Sequence, residues 1–229
     1  MDQAKINRTR RRLTTPRAAA AAGIIFALLT WAAQLLIRLS IPTDSLDNGA
    51  WLASQAGSIS LALSLVPFAG IAFLWFIGVI RDHLHELEDR FFATVFLGSG
   101  FLYLGMTFVA AGLAGGLLAS YAADPDTLTG SDTYTFGRVV MYQISNIYGV
   151  RMAGVFMMSL GTIWVRTGAM PRWLALVTYG LALGLLLTIS LSVWVTLIFP
   201  TWVFMVSLFI LIQNYRRSSA SSEGVPETA

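Results

Sequence analysis

The chain has 229 residues, of which 56% are hydrophobic and 12% charged, against roughly 25% charged in an average soluble domain. That balance excludes a water-soluble globular protein and predicts an all-α fold, a polytopic transmembrane helix bundle. The net charge of +3 sits mostly in the N-terminal segment, and the absence of cysteine excludes disulfides, thiolate metal sites, cysteine nucleophiles and attached c-type haem.

Residues 1–17 form a basic tail carrying Lys5, Arg8, Arg10, Arg11, Arg12 and Arg17. Such a cluster beside a span attracts anionic lipid head groups, by about 1 kcal/mol per basic residue near the surface, or simply fixes topology. It has no aromatic residue to stack on bases, so no nucleic-acid partner is expected.

Six spans are predicted within 18–214, at about 18–39, 54–80, 91–121, 143–165, 173–190 and 193–213. The first run is long and five more follow, which makes it a retained helix and not a cleaved signal. Residues 173–213 are uniformly apolar, and Ser190 and Ser192 mark the expected turn between spans five and six. Six spans place both termini on one side. With that side inside, the inner segments hold twelve basic residues and the outer ones only Arg38 and Arg138. The positive-inside rule therefore puts both termini in the cytoplasm and the bundle in the inner membrane. The outer loops carry Asp44, Asp47, Asp124, Asp126 and Asp132.

Span three repeats small residues every seven positions, at Gly98, Gly105, Gly112 and Ala119, and span five has Gly180 and Gly184. Small residues in register let helix backbones approach, which makes these two spans candidates for the packed centre of the bundle or for a homodimer seam. Pro67 and Pro200 fall inside spans two and six, where each is expected to kink its helix.

Arg151 is the single mid-span charge, in the polar stretch YQISNIYGVRMAGV. A mid-span arginine costs about 2.5–3.5 kcal/mol on insertion scales, so it should face a cavity or the bundle interior. No predicted span holds a carboxylate to pair with it. Three neutralising partners are open: an outer-loop aspartate folded inward, tyrosine and carbonyl dipoles, or an anionic ligand. Arg151, Tyr148 one turn before it, and Asn146 are the candidate ligand-binding residues.

The connection RDHLHELEDR, 81–90, groups His83, His85 and three acids, but two histidines two apart point to different helix faces. It is read as a solvated helical turn, with no metal site. The loop DPDTLTGSD resembles a calcium loop in composition only, since Leu128 takes a ligand position. Residues 215–229 are read as a disordered cytoplasmic tail. With one lysine and two histidines outside the spans, neither a retinal Schiff base nor bilayer haem can be built, and no cofactor is expected.

The segment WVRTGAMPRWL, 164–174, and FLWFIGVIRD, 73–82, resemble elements of uncharacterised bacterial six-span membrane proteins, and the arginine-rich, lysine-poor usage is of the actinobacterial type. The resemblance implies a six-span fold and brings no activity. The predicted spans lack Asp, Glu, His, Cys and Lys, which argues against an enzyme. The functional expectation is a membrane-embedded carrier or binding protein for an anionic or lipid-like ligand. The alternative is an accessory or scaffold subunit of a membrane complex. Expected partners are membrane lipids, anionic ones among them, and a second copy or a partner subunit.

Overall fold

Inside a bilayer no water satisfies the backbone, so apolar runs of this length fold as helices. The computed structural model describes residues 3–42, 44, 47, 49, 51–84, 90–168, 170–187 and 193–222, and all regular structure among them is helical. The elements are α1 (Gln3–Ser40), α2 (Trp51–Ser54), α3 (Ala56–Leu84), α4 (Arg90–Ala123), α5 (Pro125–Leu128), α6 (Asp132–Gln143), a π-helical turn (Ile144–Gly149), α7 (Val150–Thr167), α8 (Arg172–Leu187), a 3-10 turn (Val193–Leu197) and α9 (Ile198–Ser222).

Five stretches are long and apolar enough to cross a membrane: Ala18–Ser40, Ala56–Arg81, Phe91–Ala123, Asp132–Thr167 and Trp194–Tyr215. The sixth apolar helix, α8, has 16 residues and stops short of that length. Its expected turn toward α9 falls on 188–192, outside the described residues. So do 85–89 of the 81–90 connection and 223–229 of the C-terminal tail, while α9 itself runs to Ser222 and α1 begins at Gln3 within the basic segment.

Three placements differ from the sequence expectation, each for a physical reason. The fourth span begins at Asp132 instead of 143, because the Ser131 hydroxyl caps it by accepting from the Tyr134 N–H at 3.1 Å. Arg138, expected in an outer loop, therefore lies on α6, and Arg38 likewise lies in the last turns of α1. Pro200 sits in the first turn of α9, where a missing N–H costs no helical bond, and the preceding chain is 3-10.

The glycines of the third span also behave differently. A Cβ at Gly98, Gly105, Gly112 or Gly116 would meet nothing within 4 Å, and all four are exposed. α4 packs on its neighbours through its other side, where Ser99, Tyr103, Leu104, Ala110 and Ala114 are buried. Close approach occurs elsewhere: a Cβ on Gly154 of α7 would lie 3.0 Å from the Ala182 carbonyl oxygen of α8, and Gly23 of α1 abuts Ser207 of α9.

α1 lies against α3 and α9, α7 against α4 and α8. The centre is aromatic. Phe73 of α3 packs on Phe26 of α1 at 4.7 Å between ring centroids, on Phe156 of α7 at 5.4 Å, and on Tyr103 of α4 and Phe199 of α9 at 5.6 Å each. Each such pair contributes about 0.5–1.5 kcal/mol beyond burial. Since lipid gives no hydrophobic drive between helices, this packing and a few interhelical hydrogen bonds must hold the bundle. Trp202 Nε1 donates to Thr178 Oγ1 at 2.9 Å, and the Tyr179 hydroxyl donates to Thr162 Oγ1 at 2.9 Å, tying α8 to α9 and α7.

Candidate functional site

Neither α4 nor α7 packs substantially on α1, and between them runs a cavity of about 110 Å³ open to water centres. It borders Phe26 to Ile41 on α1, which at 1.5 Å per residue is about 22 Å of helix. A single water needs about 10–15 Å³ of such space, so the cavity admits considerably more than one.

Its polar side chains come from two stripes of fourfold spacing. Thr30, Gln34 and Arg38 follow one another down one face of α1, and Arg138, Tyr142 and Asn146 do the same on α6 and its π-helical continuation. Ser145, Thr107 and Thr196 join them. Below lie Ala69, Ala153, Leu185, Phe26 and Phe199. π-Helical turns often occur at functional sites, and this one carries Ser145 and Asn146 into the cavity.

Of the two arginines that line the cavity, Arg38 is the one without a carboxylate partner among the described residues. Its Nη2 donates to Asn146 Oδ1 at 2.9 Å and to Thr196 Oγ1 at 3.2 Å, and its buried Nε has no hydrogen-bond partner. No carboxylate among the described residues pairs with it. Thr30, 7% exposed, also lines the cavity with its Oγ1 unpartnered. Arg38 thus brings to the cavity wall a positive charge whose partners among the described residues are all neutral, and an anion in the cavity would compensate it.

The outer end is closed differently. Arg138, 3% exposed, pairs with Asp47 at 2.9 Å through Nη2, which also donates to the carbonyls of Pro42 at 2.9 Å and Asp44 at 3.0 Å. The Tyr134 hydroxyl donates to Asp47 Oδ1, and Trp51 Nε1 donates to the Tyr134 oxygen at 2.8 Å. The Arg138 guanidinium lies 5.3 Å from the centre of the Trp51 ring. These contacts hold Pro42, Asp44 and Asp47 against α6 at the outer end of the cavity. Burial alone would raise the Asp47 carboxyl, but the Tyr134 hydroxyl, the Gly49 N–H and the Arg138 guanidinium together hold it below the ordinary carboxylate range.

Of the three sequence-derived candidates, Asn146 lines the cavity, whereas Arg151 and Tyr148 do not. Tyr148 is 55% exposed. Arg151 is half-buried and donates to the Ile147 carbonyl at 3.3 Å, the dipole option among its three. An outer-loop aspartate does fold inward, onto Arg138. Arg38 and Arg138 were missed because both were read as loop residues. The signal that finds them is the repeated spacing of four, Thr30-Gln34-Arg38 and Arg138-Tyr142-Asn146. The DPDTLTGSD loop is used for capping: Asp124 accepts from the Thr127 N–H at 3.1 Å and its hydroxyl at 2.6 Å. No group of His, Cys, Asp or Glu among the described residues could hold a metal ion.

Five membrane-length apolar helices around this cavity define the chain as a multi-pass helical membrane protein. Compared with protein-family models, curated proteins and solved structures, the chain matches none.

Proposed function

We propose that the protein is a membrane-embedded binding or carrier protein for an anionic ligand, which it holds in the α1–α4–α7 cavity. The carrying observation is Arg38, a cation in the cavity wall whose hydrogen-bond partners among the described residues are both neutral. A charge left uncompensated at such a position is expensive, and an anion accepting from it through charge-assisted hydrogen bonds removes the expense. Asn146, Gln34 and Tyr142 supply further polar contacts, and the Asp47–Arg138 pair covers the outer end. Arg151 and Tyr148 serve the helix itself in this reading.

The proposal includes six spans, with α8 as the fifth, both termini cytoplasmic and the bundle in a bacterial inner membrane. The distribution of basic residues supports that orientation. The competing reading is an accessory subunit held through the outward glycines of α4, and those glycines are what favours it. Native mass spectrometry of the protein released from its own membranes separates the two. A co-purifying anionic molecule, lost in Arg38→Gln, supports binding. An unliganded chain that always carries a second subunit supports the accessory role.

A further inference from the structure

Resting on the reading of the cavity as an anion site, we infer the class of its occupant: an anionic amphiphile with one linear apolar chain. The carboxylate or phosphate head sits at Arg38 and Asn146, and the chain runs inward to Phe26 and Phe199.

The polarity of the wall is graded along its length. Arg38, Asn146 and Tyr142 lie toward the covered outer end, while Phe26, Ala153 and Phe199 form the inner part. A small hydrophilic anion would fill the first region only. An uncharged lipid would leave the Arg38 guanidinium without a counter-charge.

Width selects between one chain and two. About 110 Å³ spread along about 20 Å of helix makes a narrow cavity. A space that narrow suits one polymethylene or polyprenyl chain better than the paired chains of a phospholipid. The channel persists because small residues line it: Ala33, Ala69, Gly70, Ala110, Ala114 and Ala153 come from four helices.

The test uses the full chain in zwitterionic nanodiscs, challenged with inorganic phosphate, dodecyl phosphate, farnesyl phosphate, palmitate and a diacyl phosphatidic acid. Thermal stability reads phosphate binding, and native mass spectrometry reads the retained amphiphile. The expected result is one retained single-chain molecule per protein, at least about tenfold over the diacyl lipid, and a similar loss in Arg38→Gln. Dodecyl phosphate and palmitate retained over farnesyl phosphate would assign an acyl source, and the reverse a prenyl source. Ala153→Phe, which fills the inner channel, should lose the amphiphile yet keep the phosphate response, with Leu185→Phe at the same depth as a second block if that variant misfolds. Phosphate binding that needs Arg38 while chains add nothing, or equal retention of the diacyl lipid, overturns the inference and leaves the anion site standing. No Arg38 dependence for any probe overturns both.

Discussion

Arg38 Nη2 and Asn146 Oδ1, 108 residues apart in the chain, meet at 2.9 Å across the cavity. The contact joins the two polar stripes, and it gives a buried guanidinium a dipole where a carboxylate would be expected. A neutral partner only partly offsets the desolvation of a cation. Arg38→Met should therefore leave the melting temperature unchanged or raise it, while removing anion binding. Thermal unfolding in detergent checks the first half; a fall of several degrees would show that Arg38 serves the fold.

The Asp47–Arg138 pair should behave in the opposite way. Arg138 is buried and makes four hydrogen bonds to the 41–49 segment. Losing Asp47 leaves that charge uncompensated, so Asp47→Asn should destabilise by about 1–3 kcal/mol. Replacing both partners, with Asp47→Asn and Arg138→Met, should cost less than the sum of the single changes, a coupling that a double-mutant cycle measures.

The same pair sets a pH dependence. The folded-state value of Asp47 is depressed below an unfolded value of about 3.9. Its contribution is therefore complete above about pH 4 and disappears as pH falls through the folded value. The gap in melting temperature between the natural chain and Asp47→Asn should be constant from neutral pH to about 5 and close below 4. A gap that closes already between pH 7 and 5 would contradict the assignment.

Glycine positions separate internal packing from the outer face. Gly154→Ala forces a Cβ against the Ala182 carbonyl at 3.0 Å and should cost about 1–3 kcal/mol. Gly105→Ala meets open space and should leave monomer stability unchanged or slightly higher, since alanine is the better helix former. Unfolding of the two variants side by side decides this. If Gly105→Ala instead dissociates a dimer in crosslinking, the outward face of α4 is an interface.

Much of the fold was legible because a bilayer allows few solutions. The apolar runs became helices, five of them long enough to cross. The helix starting at Asp132 was misjudged because hydropathy counts Arg138 and Tyr142 as loop-like, whereas Asp47 and the cavity make them admissible in a span. For the site, Asn146 was readable from its polar neighbourhood. Arg151 drew attention by depth alone, yet its rotation on the helix keeps it outside the cavity wall. Arg38 ends an apolar run and looked like a boundary marker; only the stripe with Thr30 and Gln34 distinguishes it. The outward turn of Gly98, Gly105 and Gly112 was not readable, because heptad spacing gives a face and not the neighbour that the face meets.

Orientation is testable directly, since the chain has no cysteine. A single cysteine at Thr127, exposed on the α4–α6 connection, should react with a membrane-impermeant maleimide in intact cells. One at Ser221 should react only after lysis. The reverse pattern would invert the bundle.

The central claim is that Arg38, and not Arg151, is the cation that meets the ligand. Titration of nanodisc-held Arg38→Gln and Arg151→Gln with dodecyl phosphate compares them under one condition. A charge-assisted contact contributes about 1.5–3 kcal/mol, so Arg38→Gln should bind about ten to a hundredfold more weakly, with Arg151→Gln near the natural chain. Equal binding by Arg38→Gln, or a loss confined to Arg151→Gln, would contradict the account.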